Sequence, residues 1–390
     1  MDQEYTPIIS AEERAARRRQ RAEARRRKQR ARRRRQLCIL VPCLAAAGLI
    51  IGGLRLAGST EEAPVKAGRV FQLPVEPLGA SDYPRPRADE STVQLPDTFP
   101  SRCAVLLDAQ SGIILAEKNA DTVISPASMT KVLTVLVAAE QITEADLDDT
   151  FTMTIDITDY CYVNGCSVVG LMVDETVSVR ELFYGTILPS GADATLGLAT
   201  YVSGSQEAFV ELMNAKLEEL GLSDTAHFTN CVGLYDEDHH CTVKDMAVIL
   251  EAAMDNELCR QVLSAHTYET APTEDHPDGQ VLSNWFLRKI EDHDTDSAVR
   301  AVGAKTGYVV ESGNCAASWG EDRDGHAYVC VTADAGSSWR AIFDHADLYR
   351  TYCGGTSDAG ASPSAAGDGA VTPRLRRSEG TRRNRERSAF

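Results

Sequence analysis

Three short stretches, far apart along the 390-residue chain, carry residue types suited to one kind of chemistry. They are Ser128-Met129-Thr130-Lys131, Ser190-Gly191-Ala192 and Lys305-Thr306-Gly307. Ser128 and Lys131 stand three residues apart, which places them on one face of a helical turn. An amine beside a hydroxyl, near the positive end of a helix dipole, is how a weak alcohol nucleophile is activated. The chemistry implied is nucleophilic attack by a hydroxyl whose proton an adjacent amine removes.

The elements that must position these groups are readable around them. Ser125 is expected to cap a helix, with Pro126 at its first position. Val132, Val135, Leu136 and Ala139 repeat at helical spacing and should bury one face. Cys103–Asp108 and 113–117 read as strands joined by a turn at 109–112. Residues 147–180 read as short strands and loops. Helices are expected at 179–188, 193–202, 207–220 (closed by Gly221) and 243–254. Strands at 301–310, 313–319 and 327–333 form a meander, followed by a helix at 339–352. Strands first, helices in the middle, then strands and a helix predict one sheet whose two ends meet, with helices on both faces.

Charge divides the chain. Residues 1–36 carry net +9 and 371–390 net +5; the whole-chain value of −17 therefore leaves 37–370 at −31. So acidic a middle argues against nucleic acid as a partner for the folded part. It also means that an anionic substrate must be met by a few placed cations. Residues 1–36 form a basic cytoplasmic segment. Residues 37–54 hold eighteen residues without a charge, near the length of a membrane span. We read 37–57 as a single-pass anchor at the cell membrane, with the N-terminus cytoplasmic and the rest outside. A cleaved signal peptide is the rival, disfavoured by the long basic region and by Arg55. Residues 58–97, with six prolines, read as a linker reaching roughly 35 Å. Residues 98–353 form the catalytic domain, and 354–390 a low-complexity tail, basic at its end. Eleven cysteines show no zinc-type spacing. Cys161/Cys166 and Cys231/Cys241 are the closest pairs and the candidate short disulfides, with small buried apolar residues as the other reading. Asp236, Asp238, His239 and His240 read as a solvated loop. No metal or cofactor is expected.

The three stretches in this order form the signature set of serine β-lactamases and penicillin-binding proteins. The chain resembles the D-alanyl-D-alanine carboxypeptidases of the low-molecular-weight penicillin-binding type (peptidase family S11). The likeness extends to Leu107-Asp108-Ala109 with Lys118-Asn119-Ala120-Asp121, to Leu188-Pro189-Ser190-Gly191-Ala192-Asp193, and to Met213-Asn214 and Phe228-Thr229-Asn230 with Gly233-Leu234. It covers roughly 98–352.

The resemblance implies an α/β (α+β) serine β-lactamase/DD-peptidase-like fold. That fold has a mainly antiparallel sheet flanked by helices, with the active site between the sheet edge and the helical region. It implies Ser128 as nucleophile, Lys131 as base and Ser190 as proton relay. Lys305, Thr306, Gly307, Tyr308 and Arg340 are the substrate-binding residues. The amides of Ser128 and Tyr308 form an oxyanion hole, and Thr306 and Arg340 receive the substrate's terminal carboxylate. The implied partners are peptidoglycan stem peptides ending in D-Ala-D-Ala, and β-lactams as covalent inhibitors. The chain departs from the pattern at Ala192, where the family usually has Asn; one lost contact costs about 1 kcal/mol or more. Two other readings are a class A-like β-lactamase, for which no E-x-x-L-N stands between Ser190 and Lys305, and a catalytically weak wall-binding protein, suggested by Ala192.

Overall fold

A computed structural model describes residues 83, 85–293 and 297–353. The segments expected to be a basic arm, a membrane anchor (37–57) and a tail, with most of the expected linker, lie outside the described residues. Among the described residues no helix is long and apolar enough to cross a membrane.

In chain order the elements are β1 (Val93–Gln94), β2 (Cys103–Asp108), β3 (Ile114–Lys118), α1 (Thr130–Gln141), β4 (Thr150–Thr152), α2 (Ile155–Asn164), β5 (Thr176–Ser178), α3 (Val179–Ile187), α4 (Ala192–Ser203), α5 (Gln206–Glu219), α6 (Val243–Asp255), α7 (Glu257–Ser264), β6 (Thr267–Glu269), β7 (Val281–Ser283), α8 (Trp285–His293), β8 (Val299–Val309), β9 (Gly313–Asp322), β10 (Ala327–Ala335) and α9 (Ser338–Tyr352). The main sheet runs β1-β3-β2-β10-β9-β8. All its pairs are antiparallel except β1 with β3. The β2–β10 pairing, Val105 opposite Val331, brings an early strand against the last one, as the sequence predicts.

Strand alternation explains why the sheet is covered on both faces. Cys103, Val105 and Leu107 of β2 and Val329, Val331 and Ala333 of β10 enter one core with α1 and α6. Ala104, Leu106, Tyr328 and Cys330 enter a second core with α8 and α9. Near-continuous apolar strands are what burial on two faces demands. The helix α1 is deeper than its stripe suggests: every residue from Thr130 to Ala138 is buried.

The structure corrects several expectations. The folded unit begins before residue 98: Arg87 bridges to Ile113, β1 pairs with β3, and Leu95 is buried. A two-residue strand between prolines leaves no period to read. Ser125 does not cap α1. A 3-10 turn at Ala127–Met129, entered from Pro126, precedes the helix, and the Ser125 hydroxyl is buried without a hydrogen-bond partner. The region 147–180 contains α2, and α7, α8 and the β6–β7 hairpin were also unexpected. The nine described cysteines are all free, so neither candidate disulfide is closed.

Candidate active site

The Ser128 turn is held between two glycines. Ala127, a non-glycine residue, adopts φ +50°, a left-handed conformation costing about 1–3 kcal/mol. Behind it, a β-carbon on Gly233 would fall 1.9 Å from the Ala127 carbonyl oxygen. In front, a β-carbon on Gly307 would fall 2.9 Å from the Ser128 nitrogen and 2.9 Å from the Pro126 carbonyl oxygen. The glycine of Lys305-Thr306-Gly307 is therefore a packing requirement: it lets the edge strand β8 lie against the nucleophile's amide. Ser128 itself is partly exposed.

Lys131, one residue into α1, donates to Ser128 Oγ at 3.1 Å and to the Val232 carbonyl oxygen at 2.7 Å. Its side chain is buried, and burial pulls its pKa from 10.5 down to about 8. The loop supplying the Val232 carbonyl is shaped by Asn230, whose Oδ1 accepts from the amides of Gly233 and Leu234 at 2.8 and 2.9 Å. His239 pins the same loop to α1. Its Nδ1 accepts from the Thr229 amide at 3.0 Å, so in the neutral ring Nε2 carries the proton and donates to Thr130 Oγ1 at 2.8 Å. Burial holds the His239 pKa down to about 3, and the ring stacks on Phe228. This histidine is thus a packed strut, not part of a solvated loop.

The middle stretch arrives from the α3–α4 junction. Ser190 has φ +61°, a second strained non-glycine position. Its Oγ accepts from Lys305 Nζ at 2.9 Å, and Lys305 also donates to the Thr306 carbonyl oxygen at 2.8 Å. Lys305 is buried; burial first, and the Lys131 charge second, hold its pKa well below the usual lysine value. Asp193 anchors the junction. Its buried carboxylate accepts from the amides of Val169 (2.8 Å), Gly170 (2.9 Å) and Leu171 (3.1 Å), and from Ala194 in its own helix at 2.9 Å. The Ala192 amide donates to the Ser167 carbonyl oxygen at 2.8 Å. Ala192 is buried and opens α4.

Ser128, Lys131, Ser190, Lys305 and Gly307 therefore converge on one locus where β8, the edge of the sheet, meets α1 and the α3–α4 junction. Along β8, Thr306 is half-buried and Tyr308 is 55% exposed. They alternate to the opposite side from Lys305 and Gly307. Arg340 is turned elsewhere. Its Nε donates to Asp344 at 2.5 Å and its other guanidinium nitrogen to Asp347 at 2.8 Å, both on its own helix. Asp344 is in turn buried against Ser101. Arg340 does lie in the first turn of the last helix, and the two carboxylates one and two turns on decide where its charge goes. Sequence reasoning gave no role to Asn230, Gly233 or Asp193, although all three lie in the stretches that carry the resemblance. His239 left no signal beyond its apolar neighbour Cys241.

Comparisons with known proteins point to one family. The family described as D-alanyl-D-alanine carboxypeptidase (peptidase S11) matches residues 89–335. D-alanyl-D-alanine carboxypeptidase DacF of Bacillus subtilis is 29% identical over 215 residues, 55% of this chain and 52% of the relative. DacC of Escherichia coli is 40% identical over 170 residues, 42% of each chain. The chain thus spans about half the length of these curated relatives. The Streptomyces K15 DD-transpeptidase structure superposes with a TM-score of 0.57 at 27% identity, over 65% of this chain and 97% of that one. A D-alanyl-D-alanine carboxypeptidase structure from Mycobacterium tuberculosis gives 0.55 at 27% identity, over 66% and 94%. The fold is the expected mixed α/β arrangement of DD-peptidases, and the chain belongs to the D-alanyl-D-alanine carboxypeptidase family, peptidase family S11.

Proposed function

We propose that this protein is a serine D-Ala-D-Ala carboxypeptidase that removes the terminal D-alanine of peptidoglycan stem peptides through an acyl-enzyme and is acylated by β-lactams. The observation that carries the reading is the Lys131 amine, 3.1 Å from Ser128 Oγ, with its pKa drawn down to about 8. An amine poised near neutrality is matched to the task of taking a hydroxyl proton.

In this reading Ser128 Oγ attacks the carbonyl of the penultimate D-alanine as Lys131 accepts its proton. The developing oxyanion is met by the amides of Ser128 and Tyr308, the backbone that Gly307 allows to approach. Ser190, held in place by Lys305, relays the proton taken by Lys131 to the leaving amine. Lys305 receives the terminal carboxylate, and its negative charge offsets the burial that otherwise discourages Lys305 from holding a proton. Water then cleaves the Ser128 ester. As the edge strand of the sheet, β8 is placed for an extended peptide to add beside it as a further strand. Arg340 enters only if the substrate's carboxylate draws it from Asp344 and Asp347.

The carboxypeptidase is favoured over a class A-like β-lactamase because no E-x-x-L-N, the element that supplies the glutamate activating the deacylating water, stands between Ser190 and Lys305. The uncharged stretch within 37–57, preceded by an arginine-rich run, supports a single-pass membrane anchor with the catalytic domain outside the cell. The test is D-alanine release from a pentapeptide ending in D-Ala-D-Ala. The intact protein is expected to release it and Ser128→Ala to release none; equal release by both, or by neither, sinks the proposal.

A further inference from the structure

The helix α2 ends in a left-handed cap at Gly165, φ +62°. The Cys166 amide donates to the Cys161 carbonyl oxygen at 3.0 Å, and the Gly165 amide to that of Tyr162 at 3.3 Å. In a cap of this type the residue after the glycine folds back over the one five positions earlier, and their side chains touch, commonly as an apolar pair. Here both are cysteines, and the two thiols share a hydrogen bond. Every other described cysteine is buried, whereas Cys166 is partly exposed.

Both thiols lie near the Lys131 amine. The hydrogen bond from Cys161 lowers the Cys166 thiol below its usual pKa range; the Lys131 charge adds to this and burial opposes it. Giving that bond, together with burial, raises Cys161. Cys231, also near Lys131, is fully buried and pushed up to about 12. An accessible thiolate beside a cation is the reactive kind, and a buried thiol is the inert kind.

We propose that Cys161 and Cys166 are a redox-active dithiol beside the candidate catalytic lysine, closing to a disulfide by exchange with small-molecule disulfides. The Cys166 thiolate attacks one sulfur of R–S–S–R, forming a mixed disulfide and releasing R–S⁻. Cys161 then loses its proton and attacks the Cys166 sulfur, releasing the second R–S⁻. Two protein thiols are oxidised, and the small disulfide is reduced to two thiols. Closure ties α2 to the loop 166–171, which is the loop bonded to Ala192 and Asp193 behind the middle motif.

The charged and titratable groups facing Lys131 are Cys161, Cys166, Cys231, Asp193 and Lys305. Closure removes the Cys166 thiolate from this set, so Lys131 sheds its proton more readily.

The test treats the reduced full chain with oxidised glutathione, alkylates remaining thiols, and maps chymotryptic peptides without reduction. Cleavage after Tyr162 separates the two cysteines. The expected result is that the peptides on either side of the cut stay joined, two hydrogens lighter than the reduced pair, until dithiothreitol parts them. Cys161→Ser is expected to stop at a glutathione adduct on Cys166. Alkylation of both thiols in the treated protein, a cross-link between other cysteines instead, or a Cys161→Ser protein with no adduct on Cys166 would overturn the proposal. A second readout rests on the function proposed above: half-maximal penicillin acylation should fall at lower pH in the oxidised protein than in the reduced one. An unmoved or raised value would overturn the coupling to Lys131, while the peptide map judges the dithiol independently of any penicillin chemistry.

Discussion

Gly233 lies so close to Ala127 that a single added carbon would sit 1.9 Å from the Ala127 carbonyl oxygen. The contact joins the loop that holds Lys131 to the turn that carries Ser128. It requires glycine twice over, because φ at Gly233 is +82°. Gly233→Ala is expected to cost about 2–4 kcal/mol through strain and displaced backbone, lowering Tm by roughly 5–15 °C in a domain of this size. Calorimetry measures the loss. Penicillin acylation should fall further than Tm alone explains, since the turn itself must move; a variant of unchanged Tm and unchanged acylation contradicts the contact.

The lysine pKa sets a pH profile. Lys131 acts as a base only when neutral, and burial brings its pKa from 10.5 to about 8. Acylation should therefore rise with pH through an apparent pKa near 8 and level off above it. The protonated form predominates below that value and cannot accept the Ser128 proton. Lys131→Ala should lose about 10²–10⁴-fold in acylation rate and lose this limb. A flat profile from pH 6 to 10 in the wild type argues for another base.

Much of this arrangement was legible in the sequence, for a physical reason. Strands β2 and β10 are near-continuous apolar runs because both sheet faces are covered, and helices α3 to α6 carry apolar residues at helical spacing and end signals. The unread pieces bury too little to leave a pattern. In α2 only Ile157 and Cys161 are buried, while Tyr162 is 88% exposed and Val163 55% exposed, so apolar residues point both ways. The site followed the same rule. Ser128, Lys131 and Lys305 announce themselves by type and spacing. The supports Asn230, His239 and Asp193 act through backbone amides or a single hydroxyl, and that geometry has no signature in residue order. Arg340 shows the converse: its position was readable, but its partners Asp344 and Asp347 belong to its own helix.

Asp193 supports the middle motif through four backbone amides, three of them in the 169–171 loop. Asp193→Ala takes the charged acceptor from these four amides, three of them partly buried, at about 3 kcal/mol in sum. Thermal denaturation should show a drop of roughly 6–12 °C. Hydrogen exchange should speed at Val169, Gly170 and Leu171, and exchange there that matches the wild type would remove Asp193 from this role.

Ala192 occupies the position where the resemblance leads one to expect a side-chain amide. Ala192→Asn is expected to raise kcat/KM on a D-Ala-D-Ala peptide about fivefold, the worth of one added hydrogen bond near 1 kcal/mol. Steady-state kinetics decide it: a drop in kcat/KM at unchanged Tm would mean that the cleft is built around alanine.

The central claim is that Ser128 is the group acylated, with Lys131 as its base. Labelling the full-length protein with a fluorescent penicillin and sequencing the modified peptide by mass spectrometry tests it most directly. The account predicts one adduct, on Ser128, absent in Ser128→Ala and strongly slowed in Lys131→Ala. An adduct on any other residue, or none after prolonged incubation of folded protein, would contradict it.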